Sequence, residues 1–266
     1  MISDDTGFTR LFTKIERERG FRGNLYRQRC LRRRLAVRMR ARGISTLAEY
    51  SALLDADPGE YERLLRVLTI NVSKFFRNPE TWDVVSGVLL PDLLSRDSAL
   101  TFWSAGSAAG EEAYSLAIIA WELARKQGRG WKGIRIIGTD IDSACLAAAR
   151  TAAYPAVAVS DAPATIRQRW FDENELFRLR QPIPSLVEFR QLDLLEGRPD
   201  FNADLVLCRN LLIYLDRPAQ RKAFEVFADV LNPGGYLVLG RVEMLGSRIR
   251  SHFEIVDARE RVFRKL

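Results

Sequence analysis

Apolar residues recur at helical spacing through roughly the first 70 residues. Leu31, Leu35 and Met39 follow one another every four residues, and the stretch 61–68 repeats the same kind of spacing. This part of the chain lacks the alternation of apolar and polar residues that is typical of strands. The pattern predicts an all-helical N-terminal domain, which we place at residues 1–78.

From residue 99 onward, short apolar runs alternate with helical patterns. Helices are predicted after Gly110, after Asp142 and from Pro218 to Leu231. Strands are predicted at 100–106, 134–140, 187–193, 204–210, 235–241, 253–259 and 261–266. Strands separated by helices predict an α/β domain over 99–266 with a doubly wound, mostly parallel sheet. Residues 79–98 are predicted to be a linker, with a helix after Asn78-Pro79 and a connection from Pro91 to Ser98.

Positive charge is concentrated in one segment of the helical region. Residues 8–42 carry 13 Lys or Arg and two Glu, whereas the whole chain has a formal charge of +7, so the remainder is mildly acidic. Arg29, Arg33 and Arg40 lie nearly opposite the apolar stripe on a helix of ~3.6 residues per turn. They are either a solvated face or a docking surface for an acidic partner.

Composition narrows the classes of function. The chain is 47% hydrophobic and 28% charged, as expected for a globular protein, and its N-terminus has no signal-like apolar core. The apolar run 116–121 is too short to span a bilayer. Three widely spaced cysteines and a single histidine make a disulfide framework, a metal site and histidine-dependent catalysis unexpected. We therefore expect a cytoplasmic protein without membrane insertion or a bound metal.

The segment WSAGSAAGEEAYS combines a glycine turn with two acids. The predicted turn contains Gly106 and Gly110, and Glu111 and Glu112 begin the following helix. The helix N-terminus would attract a phosphate, but the two carboxylates would repel it, although acids there can also simply complement the helix dipole. Asp140 ends the next strand, where an acid can bind ribose hydroxyls, and Asp193 ends a third. An acid cluster at the carboxyl edge of such a sheet suits S-adenosylmethionine, which carries ribose hydroxyls, an ammonium and a sulfonium but no phosphate.

Five motifs in order resemble one known family. They are INVSKFFRN (70–78), WSAGSAAGEEAYSLA (103–117), GTDIDSACLAAAR (138–150), DLVLCRNLLIYLD (204–216) and NPGGYLVLGRVE (232–243). Together they resemble the CheR-type chemotaxis receptor methyltransferases over nearly the whole chain. The resemblance implies a small all-α N-terminal domain followed by a Rossmann-like class I methyltransferase domain with a small β-subdomain, at about residues 168–189. It also implies O-methylation of receptor glutamates with S-adenosylmethionine, which leaves S-adenosylhomocysteine as product.

The same resemblance assigns site residues by position. Arg77 and Tyr214 are implied to be the catalytic pair nearest the transferred methyl group. The implied cofactor-binding set consists of Asn71, Ser73, Arg77, Gly106, Glu112, Asp140, Asp193, Leu194, Arg209 and Asn210. The implied partners are the cytoplasmic helices of methyl-accepting chemotaxis receptors, and Arg29, Arg33 and Arg40 are the expected docking residues. No nucleic-acid partner is expected.

Three positions depart from the family pattern. Ser73 stands where Thr is usual and keeps the hydroxyl. Asp193 stands where Asn is common, so an amide donor is lost. Arg241 replaces the His of the family's G-H-x-E stretch, and the sequence does not indicate a consequence.

The chemistry of the residues agrees with this interpretation but leaves alternatives open. A glutamate substrate is already ionised at neutral pH, because its ordinary pKa is about 4.3, so O-methylation needs no general base. An isoelectric point near 9.6 would also suit a methyltransferase acting on RNA, although the sequence has no Pro-Cys nucleophile motif and no Asn/Asp-Pro-Pro-aromatic motif. A non-catalytic scaffold that binds S-adenosylmethionine is the second alternative.

The segment 170–189 bears on how such an enzyme would find its substrate. Some family members grip a tether at the receptor C-terminus through a glycine-containing loop of the β-subdomain. Here the segment has no glycine and carries Asp172, Glu173 and Glu175. Close backbone pairing with an added strand favours glycine, and acids would repel an acidic peptide. We therefore expect an enzyme that works independently of a tether.

Overall fold

The chain divides into two compact units. The computed structural model describes residues 4–69 and 73–266. Unit 1 comprises Met1–Asn71 with Ile213–Gln220, and unit 2 comprises Val72–Leu212 with Arg221–Leu266. The domain boundaries expected from sequence at residues 78 and 98 stay predictions.

Among its described residues, unit 1 has four complete α-helices. These are α1 (Asp5–Arg19), α2 (Gln28–Ala41), α3 (Leu47–Ala56) and α4 (Pro58–Leu68). Leu31, Leu35 and Met39 of α2 are buried, as the apolar spacing predicted, and pack in one core with residues of the other three helices. Thr46 and Glu49 form a reciprocal capping box that begins α3. The expected all-α character of this region is confirmed.

A buried ion pair lies inside this helical unit. The Glu60 side chain is fully buried, and Arg38 donates to it through Nε at 2.9 Å and through Nη2 at 2.5 Å to Oε2. The Tyr50 hydroxyl donates to Glu60 Oε1 at 2.8 Å. Burial pushes the pKa of Glu60 upward, but the bonds from Arg38, Tyr50 and Arg63 outweigh it, so the pKa lies below its ordinary value.

Residues 213–220 join unit 1 through the backbone. The amide of Arg27 donates to the carbonyl of Tyr214 at 2.8 Å, and the amide of Asp216 donates to Leu25 at 3.0 Å. Tyr26 and Leu215 form an antiparallel bridge. The Tyr214 segment is therefore held against the loop that precedes α2.

Unit 2 begins with helical structure and continues as alternating strands and helices. Its helices are α5 (Pro79–Val84), α6 (Leu90–Leu94), α7 (Glu111–Lys126), α8 (Ser143–Thr151), α9 (Ala164–Trp170), α10 (Arg217–Val230, whose first residues belong to unit 1) and α11 (Ser247–Arg250). Its strands are β1 (Leu100–Ala105), β2 (Ile134–Asp140), β3 (Ala153–Tyr154), β4 (Phe171–Glu173), β5 (Phe177–Leu179), β6 (Val187–Gln191), β7 (Ala203–Cys208), β8 (Leu231–Leu239), β9 (Phe253–Asp257) and β10 (Val262–Lys265).

The helix predicted after Asn78-Pro79 is present, and the first part of the connection predicted from Pro91 to Ser98 is helical up to Leu94. A π-helical turn at Val85–Leu89 joins α5 to α6, so the chain is helical from Pro79 to Leu94. Leu89, Leu90 and Leu93 are buried in the core of unit 2. Pro91 lies in the first turn of α6, where a missing N–H is tolerated.

The main sheet has seven strands in the order β6-β2-β1-β7-β8-β10-β9. Its first five strands are parallel neighbours, and β10 pairs antiparallel with both β8 and β9. The chain leaves β1 toward β2 and β6, then returns to place β7 on the other side of β1. This topological switch point between β1 and β7 is where open α/β sheets bind ligands. The predicted doubly wound α/β fold is confirmed.

A small antiparallel sheet is inserted between β2 and β6. Its order is β3-β5-β4, so β4 is an edge strand. Two of its strands fall inside the range 168–189 expected for a β-subdomain, and β3 precedes that range. Within the described ranges, none of the helices is both long and apolar enough to cross a membrane.

Candidate functional site

Polar residues follow the carboxyl ends of the parallel strands of unit 2. The Gly106–Gly110 turn follows β1, Asp140 ends β2, Asp193 follows β6, and Arg209 follows β7. Because these strands are parallel neighbours, their carboxyl ends share one edge of the sheet. The sheet therefore brings Asp140, Asp193, Arg209 and the glycine turn to one edge, which includes the switch point.

Close packing requires both glycines of the turn. Gly106 has φ +76°, and a Cβ there would lie 2.7 Å from Leu211 Cδ2. Gly110 has φ +91°, and a Cβ there would lie 2.8 Å from Phe189 Cζ. Both backbone conformations disfavour L side chains. The Gly106–Gly110 turn therefore packs closely against Leu211 and Phe189.

Asp140 fastens this turn to the end of β2. Its Oδ2 accepts from the Ala108 amide at 2.9 Å, and its Oδ1 accepts from the Asp142 amide at 2.9 Å. Burial raises the pKa of Asp140 against the effect of these amide bonds. A carboxylate oxygen can accept more than one hydrogen bond, so Asp140 keeps acceptor capacity for ribose hydroxyls.

Glu111 is a buried carboxyl with one oxygen lacking a partner among the described residues. The residue begins α7 and is only 5% exposed. Its Oε2 receives no hydrogen bond, while the Ser73 hydroxyl favours the ionised form. Burial raises the pKa of Glu111 to about 7. A buried acid in this state would be stabilised by a cationic ligand.

Glu112 forms a loose buried pair with Arg209. Its Oε1 accepts from the Ser104 hydroxyl at 2.8 Å, and its Oε2 lies 3.5 Å from Arg209 Nη1. Burial raises the pKa of Glu112, which Arg209 and Ser104 only partly offset, and burial lowers the pKa of Arg209. Both residues are therefore desolvated without full mutual compensation.

Arg209 also reaches the segment that precedes α5. Its Nη2 donates to the Arg77 carbonyl at 2.6 Å and to Asn78 Oδ1 at 3.2 Å, and its guanidinium lies 5.6 Å from the ring centre of Trp82. The Arg209 Nε is buried without a hydrogen-bond partner in the described part of the chain. Burial is the main cause of the lowered pKa of Arg209, and the charge of Arg77 adds to this lowering.

The other predicted cofactor residues of unit 2 are half-buried. Asp193 Oδ1 accepts from the Leu195 amide at 2.8 Å, and Leu194 lies between them. Asn210 has φ +60°, and its amide donates to Glu243 Oε2 at 3.1 Å. Asn71 lies outside the described residues.

The predicted catalytic pair is divided between the two units. Arg77 is a half-buried residue of unit 2. Tyr214 is a half-buried residue of unit 1, and the guanidinium of Arg34 lies 5.5 Å from its ring centre. Arg34 also donates to the carbonyl of Val67 at 2.5 Å. The pairing of Arg77 with Tyr214 stays a prediction.

The arginines of α2 fall into two groups. Arg34 and Arg38 hold other parts of unit 1, and Arg32 contacts Asp5 and the ring of Phe8. Arg29, Arg33 and Arg40 are exposed, as the helical spacing predicted. Within the described ranges, Arg29 and Arg33 make no hydrogen bond or ion pair, and Arg40 donates only to the carbonyl of Ala36, at 3.3 Å. This second group can bind a partner without losing structural contacts.

Arg241, the departure from the family pattern, is part of an ion cluster. Its Nη2 lies 2.7 Å from Glu260 Oε1 and 2.8 Å from Glu80 Oε2. The Thr81 hydroxyl donates to Glu260 Oε2 at 2.7 Å. A bidentate guanidinium suits this buried carboxylate, so Arg241 has a structural role that the sequence did not suggest.

Three contributors to this edge are missing from the predicted set of site residues. Ser104 is a strand residue whose bond to Glu112 spans eight positions. Glu111 was recognised as part of the acid pair but was not assigned to the site. Glu243 was inside a quoted motif, yet nothing in its spacing indicated that its carboxylate accepts three backbone amides.

The residues at this edge fit S-adenosylmethionine. A cation is favoured by Glu111 and Glu112, whose raised pKa values reflect uncompensated burial. Asp140 can hold the ribose, and the turn offers no cationic side chain for a phosphate. Among the described residues, no group of three His, Cys, Asp or Glu side chains is arranged to hold a metal ion.

Comparison with known families gives two matches that together cover most of the chain. Residues 71–262 match the family described as CheR methyltransferase, SAM binding domain. Residues 6–69 match CheR methyltransferase, all-alpha domain. The two matched ranges follow the order of the helical and α/β parts.

Curated relatives are similar over most of this sequence. The chain is 33% identical over 217 residues to chemotaxis protein methyltransferase 2 of Pseudomonas aeruginosa, covering 79% of this chain and 76% of that protein. It is 30% identical over 240 residues to the chemotaxis protein methyltransferase of Listeria innocua, covering 90% and 88%. It is also 31% identical over 245 residues to an uncharacterised 104.1 kDa protein of Rhodobacter capsulatus, covering 91% of this chain but only 26% of that longer protein.

Proposed function

The chain belongs to the CheR methyltransferase family, and from this membership and its site we propose that it methylates glutamate side chains of chemotaxis receptors with S-adenosylmethionine. The reaction would leave S-adenosylhomocysteine and a glutamate methyl ester. The relatives named as chemotaxis protein methyltransferases support a role in chemotaxis adaptation.

One observation supports the cofactor most strongly. The switch-point edge holds a cluster of acids, with buried Glu111 and Glu112 at the start of α7 and half-buried Asp140 at the end of β2. Buried carboxylates are costly unless they are paired. A ligand with a ribose and positive charge would compensate them, whereas a dinucleotide phosphate would not.

The chemistry required of the protein is modest. S-adenosylmethionine supplies a methyl group on a positively charged sulfur. A glutamate substrate is ionised at neutral pH, so the protein needs no base to activate it. The task of the side chains is then to desolvate and align the carboxylate, and alignment can contribute several kcal/mol. The absence of a suitable histidine is consistent with this demand.

Arg77 and Tyr214 are the proposed catalytic residues. A guanidinium can orient an incoming carboxylate through two hydrogen bonds, which suits Arg77. A phenol near a sulfonium can attract it through oxygen or through the ring face, which suits Tyr214. The Arg34 guanidinium, 5.5 Å from the centre of the Tyr214 ring, would help to hold that ring in place.

The proposed partner surface is the exposed face of α2, formed by Arg29, Arg33 and Arg40. These residues project from a helix whose opposite side is packed into the core of unit 1. A concentrated positive face favours acidic partners and accelerates encounter. Acidic receptor helices in the cytoplasm are the partner that fits the proposed reaction.

Docking is proposed to be independent of a receptor tether. The edge strand β4 is three residues long, and exposed Asp172 pairs with Arg180 at 2.7 Å instead of facing a ligand. Glu173 and Glu175 are also exposed. A free pentapeptide from a receptor C-terminus should show no binding in calorimetry up to millimolar concentration. Micromolar affinity would contradict tether independence without affecting the proposed reaction.

Methyl transfer from tritiated S-adenosylmethionine tests the proposed function. The wild type should label receptor-containing membranes, and the label should be released by alkali as methanol because it is a carboxyl ester. Arg77→Ala and Tyr214→Phe should each lower the rate while S-adenosylhomocysteine still binds. Arg125→Ala, an exposed residue at the end of α7, provides a matched arginine control.

Two results would overturn the proposal. Label incorporated into total RNA instead of receptors would indicate a nucleic-acid methyltransferase. Cofactor binding without transfer to either substrate would indicate a non-catalytic scaffold. Unchanged turnover in both variants at saturating cofactor would remove Arg77 and Tyr214 from the catalytic roles.

A further inference from the structure

A single buried carboxylate connects two loops at the carboxyl edge of the sheet. Glu243 lies in the loop after β8 and is 3% exposed. Its Oε1 accepts from the Leu212 amide at 2.7 Å. Its Oε2 accepts from the Gly240 amide at 2.6 Å and from the Asn210 amide at 3.1 Å. The carboxylate therefore replaces a backbone acceptor for three amides that come from two neighbouring strand ends.

The loop after β7 depends on these bonds for its shape. Asn210 has φ +60°, a conformation that non-glycine residues adopt at a cost. No ladder bond is available there, because β7 ends at Cys208 and β8 ends at Leu239. Buried amides that lose their acceptor are strongly unfavourable. Glu243 is thus the group that fixes the backbone on the C-terminal side of Arg209.

Gly240 lies where the Glu243 carboxylate and the Asn210 amide leave no space for a side chain. A Cβ at this position would lie 2.7 Å from Glu243 Oε2 and 2.9 Å from the Asn210 nitrogen. Any side chain would have to separate the two loops. The glycine is therefore explained by the carboxylate bridge, and its φ is not in the left-handed region.

The charge of Glu243 also reaches the buried pair at the site. It raises the pKa of Arg209, opposing the effect of burial, and it raises the pKa of Glu112. The same carboxylate thus contributes to both the geometry and the electrostatics around Arg209.

We propose that Glu243 is a positioning residue that holds the Arg209–Asn210 loop in the shape that binds the cofactor, without contacting the cofactor itself. This inference rests on the proposed function, because Arg209 and Asn210 are cofactor residues only under that proposal. The proposal gives a role to Glu243, which is not one of the acids of α7 and β2.

The test compares Glu243→Gln with a matched buried carboxylate. Asp204 in β7 is 7% exposed, accepts from the Thr101 amide at 2.8 Å and from Asn232 at 2.9 Å, and lies at the amino end of the same strand. Asp204→Asn therefore loses comparable bonds away from the site. Gly240→Ala tests the same bridge from the other side and serves if Glu243→Gln does not fold.

Glu243→Gln and Gly240→Ala should each weaken S-adenosylhomocysteine binding in calorimetry by about tenfold. An effect of this size is comparable to the loss of one charged hydrogen bond. Asp204→Asn should stay within about twofold of the wild type, although its melting temperature should fall comparably. The KM for S-adenosylmethionine should rise in the first two variants while the KM for receptor is unchanged. Hydrogen exchange at the Asn210 and Leu212 amides should be slow in the wild type and faster in Glu243→Gln.

Equal cofactor affinity in Glu243→Gln and Asp204→Asn would overturn the positioning role. Rapid exchange of both amides in the wild type would overturn the bridge itself. A wild type that binds no S-adenosylhomocysteine would instead contradict the proposed function, and the exchange measurement would still decide whether the bridge exists.

Discussion

A buried glutamate pairs with an arginine in both units, Glu60 with Arg38 in unit 1 and Glu112 with Arg209 in unit 2, and the two pairs differ in how well they are compensated. In unit 1, Arg38 donates three hydrogen bonds of 2.5–2.9 Å to Glu60, and Tyr50 donates a fourth. In unit 2, Arg209 approaches Glu112 only to 3.5 Å. The pKa of Glu60 is lowered despite burial, whereas burial raises the pKa of Glu112.

The difference in compensation indicates that the two buried arginine–glutamate pairs have different roles. A buried pair with complete hydrogen bonding stabilises the ionised state and orders the structure around it. A buried pair with incomplete bonding is held in place by the fold and gains from a ligand that supplies the missing charge. We therefore interpret Arg38–Glu60 as structural and Arg209–Glu112 as part of the cofactor site.

The largest effect is expected from breaking the structural pair. Glu60→Ala leaves Arg38 and Tyr50 without their acceptor inside unit 1 and should lower the free energy of unfolding by about 3–5 kcal/mol. Because the pKa of Glu60 is depressed in the folded state, its stabilisation should be present above the ordinary pKa near 4.3 and lost as the pH falls through the lower folded value. Urea unfolding at several pH values measures both effects.

Glu62→Ala is the matched control for this experiment. Glu62 lies on the same helix, is exposed, and pairs with Arg66 at 3.4 Å. An exposed i,i+4 pair contributes little, so the change should stay within about 0.5 kcal/mol. Similar losses in both variants would mean that Glu60 has no special structural role.

The incompletely compensated acids should make cofactor binding depend on pH. Burial raises the pKa of Glu111 to about 7, and a cationic ligand favours its ionised form. S-adenosylmethionine affinity should therefore fall by about tenfold between pH 8 and pH 6, as protonation competes with binding. Calorimetry at the two pH values measures this. Glu111→Gln should reduce the change to about twofold or less, and a wild-type affinity that is constant over this range would contradict the proposed electrostatics.

The smallest effect concerns arginines that take part in neither pair. Reversing the charge of Arg29, Arg33 and Arg40 to Glu should raise the KM for receptor about three- to tenfold, with kcat unchanged, and added salt should have the same effect on the wild type. A triple reversal of Arg10, Arg17 and Arg66, all exposed in unit 1, changes the net charge equally and serves as control. Equal KM values in both triple variants would indicate that α2 has only a solvated face.

The two pairs also show what a sequence can reveal. The acids of α7 and β2 were predictable because their positions depend on local patterns, a glycine turn before a helix and a polar residue after an apolar run. Their partners were not, because Glu112 meets Arg209 across 97 residues and Arg38 meets Glu60 across 22. Nothing in the sequence of α4 distinguishes Glu60 from an exposed glutamate, and only the packed structure shows that its side chain is buried.

The helical structure between residues 79 and 94 was only partly predictable, for a similar reason. Pro91 predicts a break when it is considered locally, but the π-helical turn before it allows the helix to continue. Burial of Leu89, Leu90 and Leu93 then stabilises that helix against the sheet. Contacts between residues that are distant in sequence therefore determine the helix around Pro91, and contacts of the same kind form the bridge made by Glu243.

Titration of S-adenosylmethionine into Glu112→Gln and Glu60→Gln tests directly whether Glu112, which is loosely paired with Arg209, belongs to a cofactor site at the switch point. The substitution is the same in both variants, and each replaces a buried carboxyl group beside an arginine with an amide. Glu112→Gln should weaken binding by about tenfold or more, corresponding to about 1.4 kcal/mol, with a small change in stability. Glu60→Gln should lower stability and leave the affinity of the folded protein unchanged. Wild-type affinity in Glu112→Gln would contradict the account.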